Sequence, residues 1–466
     1  MTNIKYPLPL DNSSGGGFLL RRDDNKTRIL RRMGLIDILS IVAMVGMILL
    51  IIFYPTLKIG KLHFSTFYFP LLLVALIFLI FPVFDKSELQ KALFTNNPIN
   101  PLKILILFLS VSVLSIGLDK SGFFSFLASW SIKKVKQSQH ALFLFLYLFV
   151  SVTTVFTSND IVILTFTPFI IHLAKEGKFK PLPYLVMEFV AGNTFSMLLE
   201  IGNPTNIYLS TVFDVGFVRY FEVMAIPTLI IGLFSIAILL LVFHKDLAKP
   251  IEHFDVEVKK VEDPFLMYVS LIHLGLAIIC LAISNIINIE MWLITLGFAI
   301  SMSLIVLVYS IVRKKNEIGL IYKKLPYSLV PFILSMFVII MAEDGTGLFA
   351  HFASVLNGIE NPVFQGWAYL VSSTLACNFV NNIPMSLMFS RILDGNLVSV
   401  FSTIIGSNLG ALLTPIGALA GIMWMSILKH KGIHFSFREF IKFGAVITGF
   451  MLIGALGAVA LIPLFI

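Results

Sequence analysis

The stretch from Gly406 to Trp424, GSNLGALLTPIGALAGIMW, constrains this chain more than any other. It is apolar enough to lie in a bilayer, yet an uninterrupted helix does not fit it. Gly410, Pro415 and Gly417 fall within eight positions, beside the polar Asn408 and Thr414. Proline removes a backbone donor and clashes with the preceding turn. Carbonyls freed in hydrocarbon cost several kcal/mol each unless protein or a wet cavity satisfies them. The expected outcome is a broken membrane helix, and such breaks are where solutes and ions bind.

The stretch has a counterpart in the first half of the chain, Gly192 to Ile207, GNTFSMLLEIGNPTNI, with Gly202 and Pro204 as breakers. A shift of 215 positions lays Asn193 on Asn408, Ile201 on Ile416 and Gly202 on Gly417. Two further patches follow the same order. DKSGFF at 119–124 matches DGTGLF at 344–349, and FTSN at 156–159 matches FVNN at 379–382. One match could arise by chance. Three in register indicate an internal duplication.

With 58% hydrophobic and 13% charged residues and a mean hydropathy of +0.94, 466 residues cannot form a soluble domain. The chain is a polytopic membrane protein, expected in the cell membrane. Its formal charge of +8 fits loop lysines facing a membrane and cytosol better than a nucleic-acid face. Cys280 and Cys377 both lie in apolar segments and cannot supply a disulfide framework. They read as buried thiols, with a contact to a soft metalloid as the sharper alternative. Residues 1–33 are polar, carry seven Lys or Arg, lack the apolar run of a secretory signal, and read as a disordered tail.

At roughly 20 residues per span, the first repeat, 34–244, contains 34–54, 66–84, 101–118, a long run 140–174, an interrupted 184–211, and 222–244. A charged linker occupies 245–263. The second repeat, 264–466, contains 264–288, 290–312, 328–347, the run 364–391, the interrupted 399–428, and 440–466. The long runs carry polar knots at Thr157-Ser158-Asn159-Asp160 and at Asn378 with Asn381-Asn382-Ile383-Pro384. Such a knot suits the tip of a re-entrant hairpin, against the simpler reading of a helix with one polar face. With a hairpin, each half has five spans, one of them broken. An odd number makes the halves inverted in topology. The expected fold is all-α, two inverted repeats, each with five spans and one re-entrant hairpin.

Loop charge bears on orientation. With the N-terminus outside, the internal loops hold 22 Lys or Arg and the outer loops 5, while the seven in the tail argue the other way. The loop count favours an outside N-terminus.

No Lys or Arg falls mid-span, so an anionic solute would need helix N-termini or a co-bound cation for positive charge. Acidic residues do occur there. A carboxylate at membrane depth costs about 3 kcal/mol or more and is a functional candidate by default. Asp160, at the first hairpin tip, and Glu200, on the first broken span, are the candidates for a proton or sodium site. The plainer reading of Asp160 is a cap on the hairpin helix. Glu188 reads as a structural partner, and Asp119 and Asp344 as turn or cap residues. Ser158, Asn159, Asn193, Asn203, Thr205, Asn206, Asn381, Asn382, Asn408 and Thr414 gather at the knots and breaks as candidate solute ligands. Helix–helix hydrogen bonding is the plainer role for any one of them, at under about 1 kcal/mol each. Gly202, Pro204, Pro384, Gly410, Pro415 and Gly417 are the expected helix-breaking positions. His172 and the loop histidines show no metal-ligand spacing, and the sequence has no phosphate-binding loop, nucleophile elbow, HExxH or CxxC. Neither an enzyme nor a resident cofactor or metal is expected, beyond H+ or Na+ as coupling ion.

DKSGFF at 119–124, SNDIVILTFTPFI at 158–170, NNIPMSLM at 381–388 and IGSNLGALLTPIGALAGIMW at 405–424 resemble the signatures of the arsenite-efflux and sodium/proton-antiporter group of the ion transporter superfamily. That group is related to citrate-transporter-like and divalent-anion/sodium symporter families. The likeness runs over nearly the whole chain after residue 33. It implies inverted repeats, re-entrant hairpins, split helices and ion-coupled transport. It also implies an arsenite pump acting alone by antiport or with a separate soluble ATPase. Where the superfamily's carboxylate carriers have Ser-Asn-Thr at each hairpin tip, this chain has Ser158-Asn159-Asp160 and Asn381-Asn382-Ile383. Asn408 stands where arsenite pumps have an acid, and GNPTN at 202–206 looks more like the sodium-coupled and carboxylate-carrying relatives. The expected function is arsenite- or antimonite-type efflux by proton or sodium antiport. The alternatives are a coupled di- or tricarboxylate or other anion permease, then a sodium/proton antiporter or a passive channel. The partners open to such a chain are the bilayer, a small inorganic or anionic solute, a second copy of itself and the ATPase, with no nucleic acid.

Overall fold

The computed structural model describes residues 19–54, 56–59, 62–81, 83–94, 100–132, 138–249, 251, 259–287 and 289–466. The chain opens with α1 (Leu19–Phe53), a hairpin of β1 (Thr56–Ile59) and β2 (Leu62–Ser65), α2 (Phe69–Ile80), α3 (Lys86–Phe94), α4 (Pro101–Lys120) and α5 (Phe123–Ile132). Next come α6 (Gln139–Phe156), α7 (Asn159–Glu176), α8 (Leu182–Phe195), a 3-10 turn at Glu200–Gly202, α9 (Pro204–Val212) and α10 (Phe217–Leu247). After the linker come α11 (Pro264–Ala282), α12 (Ser284–Ile287), α13 (Met291–Arg313), α14 (Glu317–Lys323), α15 (Leu329–Asp344) and α16 (Leu348–Leu356). The chain closes with α17 (Pro362–Val380), α18 (Asn382–Ile392), α19 (Leu397–Gly410), a 3-10 turn at Pro415–Gly417, α20 (Leu419–His430) and α21 (Phe437–Leu461).

Two local departures from the sequence reading appear. Helix α1 begins at Leu19, inside the segment 1–33 read as a disordered tail, and residues 1–18 lie outside the described residues. The Leu, Arg and Lys of that stretch are good helix formers, so the span extends backwards. The antiparallel β1–β2 pair, in register from Thr56 with Ser65 to Ile59 with Leu62, adds a strand hairpin to an otherwise helical reading. Its four-residue strands, TLKI and LHFS, alternate polar with apolar residues, which suits a short ladder.

Among the described residues, seven helices are long and apolar enough to cross a membrane, or eight if the pair α15–α16, bent by 80°, counts as one. Ten crossings were expected. The short α2 and the interrupted segments α8–α9 and α19–α20 fall below the length of a full span, while α6, expected as one arm of a hairpin, meets it.

The interruptions fall where proline and glycine chemistry placed them. In α8–α9 the chain leaves the helix after Phe195, makes the 3-10 turn and restarts at Pro204, with Asn203 as N-cap. In α19–α20 it leaves after Gly410, turns through Pro415–Gly417 and restarts at Leu419. Gly202 and Gly417 are required by close approach rather than by dihedral angle. A Cβ on Gly202 would collide with the Ser196 carbonyl oxygen, and one on Gly417 with the Gly410 carbonyl oxygen. Backbone cannot yield as a flexible side chain can. Gly202→Ala and Gly417→Ala should each lower the melting temperature in detergent by an amount corresponding to about 1–3 kcal/mol. Gly275→Ala, with nothing within 4 Å of its Cβ position, should be neutral or slightly stabilising. Equal melting of all three variants would contradict the packing argument.

The second arms of the two knots also start as helices with side-chain caps. Ser158 caps α7, accepting from Ile161 N at 3.4 Å. Asn381 caps α18, accepting from Ile383 N at 3.4 Å. Asn381 holds φ +76, a left-handed conformation that costs a non-glycine residue about 1–3 kcal/mol and persists only where its surroundings enforce it.

Candidate functional site

The two breaks meet at the centre of the molecule, and the amides there do two jobs. The first is to satisfy backbone that the breaks set free. Asn206 Nδ2 donates to Ser196 O at 2.9 Å, and Asn381 Nδ2 donates to Ile416 O at 2.8 Å. Asn193 Nδ2 and Asn408 Nδ2 instead fold back within their own helices, donating to Phe189 O at 2.8 Å and to Ile404 O at 2.9 Å. The second is to join the halves. Asn408 Nδ2 also donates to Asn206 Oδ1 at 2.9 Å, while Asn408 Oδ1 accepts from Asn203 Nδ2 and from Ser196 Oγ, both at 3.1 Å. Ser407 Oγ donates to Thr205 Oγ1 at 2.8 Å.

The two polar knots attach to either side of this layer. Asn159 Nδ2 donates to Asn193 Oδ1 at 3.1 Å, which fastens α7 to α8. Thr414 Oγ1 donates to Asn378 Oδ1 at 2.7 Å, which fastens the second break to α17. Asn193, Thr205, Asn206, Asn381 and Asn408 are fully buried, and Ser158, Asn159, Asn203 and Asn382 nearly so. Burial of this many amides is tolerable because each bond made avoids a desolvation penalty of about 1–3 kcal/mol.

The acids take distinct places. Asp160 does not cap α7, since Ser158 fills that role. It sits in the first turn, where negative charge is favoured, and lines a cavity of about 620 Å³ together with Ser158, Asp119, Thr165, Lys324 and Met423. Glu200 is buried in the 3-10 turn. Its Oε2 accepts from Ser210 Oγ at 2.8 Å, and its Oε1 has no hydrogen-bond partner among the described residues. Glu188 is also buried, and Thr167 Oγ1 donates to both its oxygens, at 2.9 and 3.1 Å, tying α8 to α7.

Asp119 and Asp344 reach beyond their own turns. Asp119 accepts from Thr165 Oγ1 and pairs with Lys324 Nζ, both at 2.7 Å, while Asp344 pairs with Arg391 at 3.7 Å. Each therefore ties the end of a helix to the one that follows a polar knot, α7 or α18. Of the cysteines, Cys280 is half-buried, and Cys377 is fully buried with Sγ 3.7 Å from Ser407 O. Among the described residues no three His, Cys, Asp or Glu are grouped to hold a metal ion.

Sequence reading did not assign Ser196, Ser407, Ser210 or Asn378 to the site. Ser407 precedes Asn408, Ser196 follows Asn193 by three, and Ser210 follows Asn206 by four, so helical spacing from the amides was the available signal.

Broken apolar helices enclosing a buried polar layer, with a cavity leading down to it, define a multi-pass membrane transporter. The chain is similar to the arsenical pump membrane protein of Escherichia coli, at 26% identity over 373 residues, 76% of this chain and 85% of the relative. It is also similar to the putative arsenical pump membrane protein of Bacillus subtilis, at 24% over 366 residues, 72% of this chain and 81% of the relative. Residues 30–397 match the family model described as citrate transporter, and the chain belongs to that family. In fold it resembles Neisseria gonorrhoeae MtrF, a structure titled as illuminating a class of antimetabolite efflux pumps. The TM-score is 0.51 at 15% identity, with 92% of this chain and 94% of that one covered.

Proposed function

We propose that the protein is a secondary active transporter that expels arsenite or antimonite in exchange for a proton, with sodium as the alternative coupling ion. The buried amide and hydroxyl layer joining the two breaks carries this reading. Arsenite at neutral pH is an uncharged hydroxylated solute, and it needs donors and acceptors together. Amides and hydroxyls offer both, whereas a carboxylate solute calls for fixed positive charge. Asn159, Asn193, Asn408 and Thr205 line the path, and Asp160 and Glu200 handle the coupling cation. Similarity to arsenical pump membrane proteins supports the same solute.

The two halves, 34–244 and 264–466, form an inverted pair in this reading. The cavity that holds Asp160 supports it, because the end of α4, at Asp119, and the start of α15, at Ser328 and Leu329, line the same space. Equivalent helices thus enter that space from opposite chain directions.

A second reading, an organic-anion symporter, is favoured by the citrate transporter family match and by Lys323 and Lys324 on the cavity wall. One experiment separates them. In an arsenite-sensitive cell lacking its own pump, expression should lower arsenite retention several-fold, with no sodium-dependent uptake of citrate or succinate. Unchanged retention together with such uptake would select the symporter.

A further inference from the structure

A second cavity, of about 550 Å³, is lined by Lys103, Ser210, Thr211, Asp214, Glu290 and Trp292. It lies at the opposite end of α4 from the first. Lys103, Ile104 and Leu107 of α4 face it, whereas Phe108, Ser112, Ile116 and Asp119 face the cavity of Asp160. Lys103 and Asp119 are sixteen residues apart, which at 1.5 Å per residue is about 24 Å, most of a hydrocarbon core. The two cavities therefore open towards opposite membrane faces. The Asp119 end carries the lysine-rich loops, so it is the cytoplasmic one.

A line of polar groups, hydrogen-bonded from Asp160 to Asn206 and resumed one helical turn later at Ser210, lies between the cavities. Asp160 N–H donates to Asn159 Oδ1, and Asn159 is bonded to Asn193. Ser196 Oγ reaches both Asn193 O, at 3.0 Å, and Asn408, which bonds Asn206. Ser210, one turn beyond Asn206 on α9, faces the second cavity and holds Glu200 Oε2. Apart from the Ser196 hydroxyl, the middle of this line is amide. An amide N–H gives up a proton only by tautomerising, so the line coordinates but does not conduct. Hydroxyl and carboxyl groups, which do relay protons, stand at its two ends.

We propose that Glu200 is a second proton-binding site, loaded from the outer cavity through Ser210, while Asp160 exchanges its proton with the cytoplasmic cavity. In the loading step a hydronium in the outer cavity gives a proton to Ser210 Oγ. Ser210 passes its own hydroxyl proton to Glu200 Oε2, and the carboxylate becomes a neutral acid. Among the described residues no Lys or Arg is hydrogen-bonded to Glu200, and neutrality removes the cost of a bare buried charge. A proton suits this carboxylate better than sodium, because among the described residues the hydroxyl of Ser210 is the one oxygen bonded to it, and sodium calls for several. Of the other titratable groups, Tyr220 of α10 packs near Glu200 and donates its hydroxyl to Met197 O at 3.1 Å. Lys103, Asp214 and Glu290 face the cavity, where Lys103 pairs with Glu290.

The inference deepens the proton-coupled reading above, and its test does not require transport. The full chain in lipid should show an infrared band of a protonated carboxyl that Glu200→Gln removes. Hydrogen–deuterium exchange of that band should slow about tenfold or more in Ser210→Ala and recover in Ser210→Thr. A membrane-impermeant maleimide should label Thr211→Cys from outside and Met423→Cys from the cytoplasmic side, above the unsubstituted protein. The same face for both labels, no band lost in Glu200→Gln, or unchanged exchange in Ser210→Ala would overturn the proposal. Normal exchange and sidedness with no solute flux would instead reject the assigned transport.

Discussion

Asp160→Asn is expected to insert and fold normally yet lose uphill solute flux in proteoliposomes by about 100-fold or more, the scale of effect of a positioned proton-transfer group. Three observations set this apart from a stability effect. Asp160 is not the cap of α7, because Ser158 accepts the capping bond. The Asp160 backbone N–H, which substitution leaves in place, makes the bond to Asn159 Oδ1 at 2.9 Å. The remaining loss is the carboxylate's interaction with the helix N-terminus, about 0.3–1 kcal/mol. The carboxyl also lines the larger cavity, where water and ions reach it. Purified Asp160→Asn that drives solute against its gradient at the native rate under an imposed pH difference would remove Asp160 from the coupling step.

Asn408→Ala should have the largest combined effect on stability and binding. One side chain accepts from Ser196 and Asn203 and donates to Asn206 and Ile404 O. Alanine strips partners from three buried polar side chains at once. At about 1–3 kcal/mol for each group left unsatisfied, the variant should lose about 3 kcal/mol or more, less whatever water can repair. Solute affinity should fall about 100-fold, since about 2.7 kcal/mol of lost interaction corresponds to that factor. Thermal melts in detergent and equilibrium binding of the solute check the two halves of the claim. Native melting with native affinity would mean that Asn408 is no hub. Asn382→Ala is the contrast: its side chain is buried at the second polar knot but, among the described residues, makes no hydrogen bond to this layer, and the variant should melt closer to the native protein.

Much of the site could be read from residue order. Gly202, Pro204, Gly410, Pro415 and Gly417 act on the backbone next to them, so their effect is local and the breaks fall beside them. The amides at 159, 193, 382 and 408 stood out because polar groups at membrane depth are expensive and these recur at matched positions. The serines were harder to read. Ser112 on α4 is as buried as Ser196, yet it returns its hydroxyl to Phe108 O within its own helix, a bond any membrane serine can make. Nothing in the order of residues separates such a serine from Ser196, which crosses to Asn408. Asp119 and Asp344 show the same limit. Their GxF-type turns suggested caps, and only packing brought Thr165, Lys324 and Arg391 to them.

By itself, then, the order of residues determined that the chain lives in a bilayer, where its helices come apart, and which polar groups lie at those places. These follow from hydrophobicity, proline and glycine, whose effects reach only a few residues along the chain. Tertiary structure decided that Asn206 and Asn408, 202 residues apart, share a hydrogen bond, and that Asp160 and Glu200 stand beside different cavities. Those facts depend on how whole helices dock, a matter of summed packing over many side chains that no local pattern encodes.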